Sequence, residues 1–200
     1  MYTNCNQSVY IFLFLRYNVV VGEKNMEEML DTFDINGKFL GVKPRSFCHG
    51  GNPGVYHKPV WIWIINSKGE ILVQKRALTK KKSPGKWDMP SAGHIDAGES
   101  CLQGCVRETT EELGINVKEE DFIFLKDFIN QRGWELVQVY LLKKDINIAD
   151  VKLQKEEVEC IKWLNYEEFV ELLYSEDFCN HAPEYKDWVA ETLKNYIKEQ

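Results

Sequence analysis

The sequence predicts an α/β domain built on a mixed sheet, and three observations predict it. Short apolar, β-branched runs are bounded by turn signals, apolar stripes of helical period stand between them, and some consecutive strands are joined by connections too short for a crossover. Strands alternating with helices call for parallel neighbours, whereas hairpins call for antiparallel ones. The sheet is therefore expected to be mixed, with helices layered on it.

The elements follow in order. Residues 1–25 hold an aromatic, β-branched stretch closed off by Gly22 and the polar Glu23, Lys24 and Asn25. They read as an appendage: a leader from an over-long start assignment, or an added edge strand. Residues 26–200 read as a single domain. Its first feature is a hairpin pattern across residues 31–40, turned by Asn36-Gly37, since both residues accept positive φ. Residues 60–65, Val-Trp-Ile-Trp-Ile-Ile, form a buried-strand run, and after the turn at 66–70 residues 71–74 return as its hairpin partner. Residues 75–86 form a Lys-rich, exposed loop punctuated by Pro84-Gly85. A helix is expected over 100–113, stopped by Gly114, then strands over 122–128, 135–142 and 161–164, and helices over 166–173 and 184–197.

Composition bounds the function. With 200 residues, 44% apolar and 28% charged, the chain has material for a full core, which excludes a peptide, a fibre and a disordered chain. A formal charge of −6, from 25 Lys+Arg against 31 Asp+Glu, argues against bulk capture of nucleic acid or an acidic membrane surface. A small anionic substrate then needs a local cation. The apolar run at residues 9–15 is far shorter than the ~20 residues that span a bilayer. No basic stretch precedes it and no small-residue cleavage site follows, so a cytoplasmic protein is expected. The six cysteines include no C-x-x-C pair, and Cys101 and Cys105 lie four apart on one helix, a poor disulfide geometry, so reduced thiols are expected.

Chemistry concentrates in residues 93–115. At ~100° per residue, Leu102, Val106, Thr109 and Leu113 form one stripe of the helix, while Glu108, Glu111 and Glu112 gather on another. Carboxylates three and four apart repel by a few tenths of a kcal/mol per pair, so the cluster calls for a cation among them. Oxygen ligands without imidazole or thiolate suit a hard ion, Mg²⁺ or Mn²⁺. Gly93 and Gly98 let the preceding loop approach closely and aim a carbonyl at the same ion. Glu99, at the positive end of the helix dipole, can pair with Arg107 and brace loop against helix.

These residues resemble the Nudix hydrolases, whose signature is G-x5-E-x7-R-E-U-x-E-E-x-G-U, with U aliphatic. Gly93, Glu99, Arg107, Glu108, Glu111, Glu112, Gly114 and Ile115 stand in register, and Thr109 departs at the first U position. The resemblance implies an α/β/α sandwich with a mixed sheet and a loop-helix-loop box that binds Mg²⁺, or Mn²⁺ in its place. It implies hydrolysis of a diphosphate bond in a nucleoside diphosphate-linked or similar small organic molecule. Glu108 and Glu112 would be the principal metal ligands, Glu111 a further ligand or the water-orienting base, the Gly93 carbonyl a ligand, and Arg107 with Glu99 the support. Catalysis would thus rest on Arg107, Glu111 and Glu112. The partner would be a small-molecule diphosphate, with no nucleic acid polymer and no membrane, and a homodimer is compatible.

Looser matches are similar to a subgroup around isopentenyl-diphosphate isomerase: residues 34–37, Arg45-Ser46, His49, His57, the strand 60–65, Gln74-Lys75-Arg76 and residues 84–88. In the isomerase manner His49, His57 and His94 would be metal ligands; the other reading of each is a hydrogen-bonded structural histidine. Isomerase activity is disfavoured, because Ser91 stands where the resemblance expects the catalytic cysteine, and a hydroxyl is a far poorer proton donor than a thiol. A nucleotide-binding module without turnover would need a broken box, and every acidic position is present. For substrate binding, Arg76 directly follows a strand and is the preferred cation, while Lys80, Lys81 and Lys82 read as a solvated turn. Trp134 and Trp87 could stack on a base or pack at the rim. Glu135 or Glu157 could add an acidic ligand from outside the box.

Overall fold

The computed structural model describes residues 27–199, so the expectations for residues 1–25 lie outside the described residues. Strands β1 (Met29–Phe33) and β2 (Phe39–Pro44) form the expected antiparallel hairpin, with Gly37 at φ 79° in its turn. The Asp34 carboxylate accepts the amide hydrogens of Asn36 and Lys38, both at 2.9 Å, which fixes that turn. A single helical turn, α1 (Arg45–Cys48), follows; Glu27 accepts from the Ser46 amide at 2.7 Å. Then come β3 (Tyr56–His57), β4 (Pro59–Ile65), β5 (Ile71–Arg76), β6 (Trp87–Asp88), β7 (Ser91–His94) and α2 (Cys101–Leu113). The chain continues through β8 (Phe122–Asn130), β9 (Glu135–Lys143), β10 (Val158–Leu164), α3 (Tyr166–Tyr174) and α4 (Pro183–Lys198).

The strands make one sheet in the order β10-β5-β4-β9-β3-β1-β2, with β6 on β5, β7 on β4 and β8 on β9. β9 runs parallel to β3 and β4, and the other pairings are antiparallel, so the sheet is mixed. The predicted hairpin of β4 and β5 closes only at Ile65 opposite Ile71. Beyond that point β4 joins β9 and β7, while β5 joins β10 and β6. The reason lies in the sequence of β4: apolar on both faces, it must be central and covered on both sides. β5 also runs two residues further than expected, because Lys75 and Arg76 pair across to β10 and Lys75 to β6.

Both faces of the sheet are covered. Trp63, Ile65, Val73, Val137, Val139 and Leu141 pack against Phe169, Leu173, Tyr185, Val189 and Leu193 of α3 and α4. Val60, Ile62, Ile64 and Leu72 pack against Cys105 and Leu113 of α2. Each large apolar side chain so buried is worth ~1.5–3 kcal/mol.

Helix α2 is sharply bounded. The Ser100 hydroxyl accepts from the Gln103 amide at 3.1 Å and the Gln103 side chain accepts from the Ser100 amide at 2.9 Å, a reciprocal cap. Gly114 ends it at φ 64°. The buried face is rotated from the expected stripe: Gly104, Cys105, Thr109, Glu112 and Leu113 are buried, whereas Leu102 and Val106 are half-buried. Gly104 is the cause, since Ile95 occupies the space its Cβ would need, 2.2 Å away, and draws that side of the helix onto the loop. Among the described residues, Cys48, Cys101, Cys105, Cys160 and Cys179 are free thiols, and no helix is long and apolar enough to cross a membrane.

Candidate active site and a histidine cluster

The loop between β7 and α2 is held by one side chain. Arg107 donates from Nε and Nη2 to the two Glu99 oxygens at 3.1 and 2.9 Å, from Nη2 to the His94 carbonyl at 2.7 Å, and from Nη1 to Glu108 at 2.7 Å. This is the expected brace, extended to orient Glu108. On β7, Gly93 leaves room for the Glu108 carboxylate, which lies where a side chain would project. Glu112 is only 5% exposed and accepts the Ala92 amide at 3.2 Å. Burial, then the neighbouring Glu108 charge, pushes Glu112 up to about 8. Burial also raises Glu108, against the pull of Arg107. Glu111 faces outward, its side chain 54% exposed. A buried and a half-buried carboxylate beside a glycine backbone, and a third at the mouth, make an all-oxygen donor set that could hold a hard divalent cation.

A second cluster shares the β7 edge. His49 follows α1, His57 sits on β3 and His94 ends β7, and their ligand atoms lie within 4.8 Å of one another. His49 Nε2 is 3.1 Å from His94 Nε2. His57 is fully buried, and neither of its ring nitrogens has a hydrogen-bond partner among the described residues. Glu28 lies 3.2 Å from His94 Nδ1, and Glu135 lies 3.7 Å from His57 Nε2. Burial and the other imidazoles hold His49 down to about 4 and His57 to about 3, so both are neutral, the form that ligates metal. Burial would raise Glu28, but His94 and Arg45 outweigh it and hold the carboxyl at about 2. An unsatisfied buried donor or acceptor costs ~1–3 kcal/mol, so the hydrogen-bonded structural reading does not account for His57. Three imidazoles flanked by two carboxylates could hold a transition metal such as Zn²⁺ or Mn²⁺.

The remaining candidate residues separate. Arg76 is engaged: its Nη1 is 3.5 Å from Asp88, and its Nε donates to the Lys82 carbonyl at 3.3 Å. Lys80 pairs with Glu157, and the Glu157 charge contributes to raising Glu112. Lys82 adds to lowering His49 and His57. Lys80 is half-buried against Glu157, whereas Lys81 and Lys82 are exposed, as a solvated turn requires. Of the two acids considered outside the box, Glu135 lies with the histidines, and Glu157 is paired with Lys80 while its charge adds to raising Glu112. Trp134, at φ 53°, meets Tyr56 edge-on at 5.3 Å, and its carbonyl accepts from the His57 amide at 3.1 Å. Trp87 lies at the rim under Lys162, 4.3 Å above its ring. Glu28 was missed in the sequence because the pairing of Leu30 with Asp96, and the Ala97 amide on the Met29 carbonyl, bring it to His94; no local signal marks it.

Comparison with known proteins supplies the relatives of this arrangement. The NUDIX domain model matches residues 55–188. A protein named Nudix hydrolase 3, from Arabidopsis thaliana, is 37% identical over 163 residues, 76% of this chain and 21% of that protein, so the chain spans about a fifth of that relative's length. An isopentenyl-diphosphate Delta-isomerase from Corynebacterium diphtheriae is 28% identical over 182 residues, 86% of this chain and 94% of that one. Among solved structures, DR0079 from Deinococcus radiodurans matches with a TM-score of 0.64 at 19% identity, covering 84% of this chain and 98% of that one. At that identity the likeness speaks for the fold.

Proposed function

The chain belongs to the NUDIX domain family, and from that premise we propose that it hydrolyses a diphosphate bond in a nucleoside diphosphate-linked or similar small organic molecule. Glu108, Glu111, Glu112 and the Gly93 carbonyl would hold Mg²⁺ or Mn²⁺. The observation that carries this reading is the interlock of Gly93 with Glu108, latched by Arg107, because it orients carboxylates against a backbone edge at the expense of burying their charge. A bound divalent ion would offset the charge growing on the diphosphate oxygens and lower the pKa of the attacking water. Glu112, fixed by the Ala92 amide, would set the geometry of the donor set. Glu111, open to solvent, would be a further ligand or take the water's proton. Arg107 holds the loop so that neither carboxylate drifts. Lys80 and Lys82 would draw the phosphates in.

The histidine cluster belongs in this reading as a second metal centre, supported by the orphaned ring of His57. It does not convert the protein into an isomerase, since Ser91 offers no thiol. The work described needs neither a nucleic acid polymer nor a membrane, and fits the cytoplasm.

Release of phosphate or of a phosphomonoester from a panel of nucleoside diphosphates, nucleotide sugars, dinucleotides and thiamine diphosphate, with Mg²⁺ and with chelator, tests the proposal. Metal-dependent release by the wild type that collapses in Glu112→Gln supports it. Undiminished turnover by Glu112→Gln refutes the metal assignment.

A further inference from the structure

We propose that His181, held by Asp88, is a specificity-determining residue that hydrogen-bonds the organic moiety of the substrate and selects a polar moiety over a hydrocarbon one. The proposal rests on the diphosphate-hydrolase reading above and deepens it. Trp61 on β4 lies opposite Ala92 on β7 and opposite Val139 on β9, on the sheet face covered by α3 and α4. Ala92 donates its amide hydrogen to Glu112 and precedes His94 by two residues, ~7 Å along the strand. Trp61 is therefore paired with the residue whose amide holds Glu112, and its indole shares a sheet face with His94, the face on which the organic part of a bound diphosphate would lie.

His181 completes that wall. Its ring meets Trp61 edge-on at 5.0 Å and Tyr185 at 5.4 Å. Nε2 is 2.9 Å from Asp88 Oδ1, and the Asp88 carboxylate is itself buried, with Arg76 3.5 Å from its other oxygen. With Nε2 taken, Nδ1 is the free polar atom of a side chain that remains 14% exposed. Anchoring the segment ahead of α4 does not require this pair. The Trp87 amide already donates to the Asp177 carbonyl, and the Cys179 amide to the Trp87 carbonyl, both at 2.8 Å. Nothing in the proposed hydrolysis uses the Arg76–Asp88–His181 array. A hydrocarbon chain laid against it would strip water from Nδ1 and leave the atom unpaired; a hydroxyl or ring nitrogen would replace that water, while Trp61 offers an aromatic surface.

The test is titration calorimetry in Mg²⁺ with two probes, ADP and isopentenyl diphosphate, each as its non-hydrolysable methylene-bridged analogue, on wild type, His181→Phe and Asp88→Asn. His181→Phe is expected to weaken ADP about tenfold, as for one lost hydrogen bond, and to leave isopentenyl diphosphate within about twofold. Asp88→Asn should shift the ratio the same way, to a smaller extent. Because each variant is compared with itself across two ligands, a general loss of folded protein does not move the ratio. An unchanged ratio in His181→Phe, or a wild type that does not bind ADP, overturns the proposal. The hydrolase reading fails separately, by the absence of both phosphate and phosphomonoester products across the panel.

Discussion

Gly93 and Glu108 compete for one volume: a Cβ on Gly93 would stand 1.9 Å from the Glu108 carboxyl carbon and 2.0 and 2.3 Å from its oxygens. The backbone of Gly93 does not lie in the left-handed region, so alanine is tolerated there conformationally. Gly93→Ala should fold and should displace the Glu108 carboxylate from β7. We expect a loss of about 10–100-fold in metal-dependent turnover, with the unfolding midpoint changed little. Steady-state kinetics over a Mg²⁺ titration, beside a thermal melt, checks both halves.

Arg107 meets Glu99 through two parallel contacts and also holds the His94 carbonyl, a geometry that a lysine ammonium cannot reproduce. Arg107→Lys keeps the charge and should still cost about tenfold or more in kcat/KM, because the loop and Glu108 lose their common latch. Activity at the wild-type level in Arg107→Lys would reduce the guanidinium to a charge.

The metal-free protein should be squeezed from both sides of neutral pH. His49 and His57 titrate at about 4 and about 3 when folded, below the ordinary histidine value of 6.5. The unfolded chain therefore binds more protons in that interval, and stability falls as pH drops below about 6.5. Glu112 behaves oppositely. Its folded value of about 8 lies above the ordinary 4.5, so the folded state holds the extra proton and stability falls as pH rises toward 8. Urea midpoints from pH 5 to 9 should show the alkaline arm flattened by Glu112→Gln and the acid arm reduced by His57→Asn. A profile that neither substitution alters would contradict these assignments.

How legible each feature was depends on how local it is. The carboxylates of α2 and the Glu99–Arg107 brace lie within 14 residues of one another, so helical periodicity alone places them. The histidine cluster draws on residues 49, 57 and 94, joined only when β3 pairs with β1 and β7 with β4. Arg76 looked free because its partner Asp88 comes from β6, and the antiparallel pairing of β5 with β6 is not written in either segment. The α2 stripe packs on the core but is rotated toward Gly104 and Cys105 for a similar reason. Gly104 shifts the contact toward Ile95, a choice made by tertiary packing and not by period.

Glu135 and Glu157 should divide the two proposed metal centres between them. Glu135 lies by His57, so Glu135→Gln should weaken binding of Zn²⁺ or Mn²⁺ at the histidines while leaving the Mg²⁺ dependence of turnover in place. Glu157 pairs with Lys80 and its charge adds to raising Glu112, so Glu157→Gln should raise the Mg²⁺ concentration needed for half-maximal rate. Metal content by elemental analysis and Mg²⁺ titrations of the rate separate the two, and equal effects of both substitutions on both readouts would argue for a single shared centre.

The last expectation concerns the reaction that the isomerase relative makes tempting. Moving a double bond requires a proton donor and an acceptor on opposite faces of a carbon skeleton. The resemblance puts the donor at Ser91, which is buried and carries a hydroxyl. The thiol adjoining the histidine cluster, Cys48, is also buried, and burial pushes it up, away from easy proton exchange. His94 is engaged with His49 and Glu28 and is one half of no relay without a thiol facing the ligand. Incubation with isopentenyl diphosphate and Mg²⁺ in deuterated water should therefore give no deuterated dimethylallyl product, even if the diphosphate is slowly hydrolysed. Deuterium in that product would place the protein in the other reaction class and give the histidine centre, not the carboxylates of α2, the leading role.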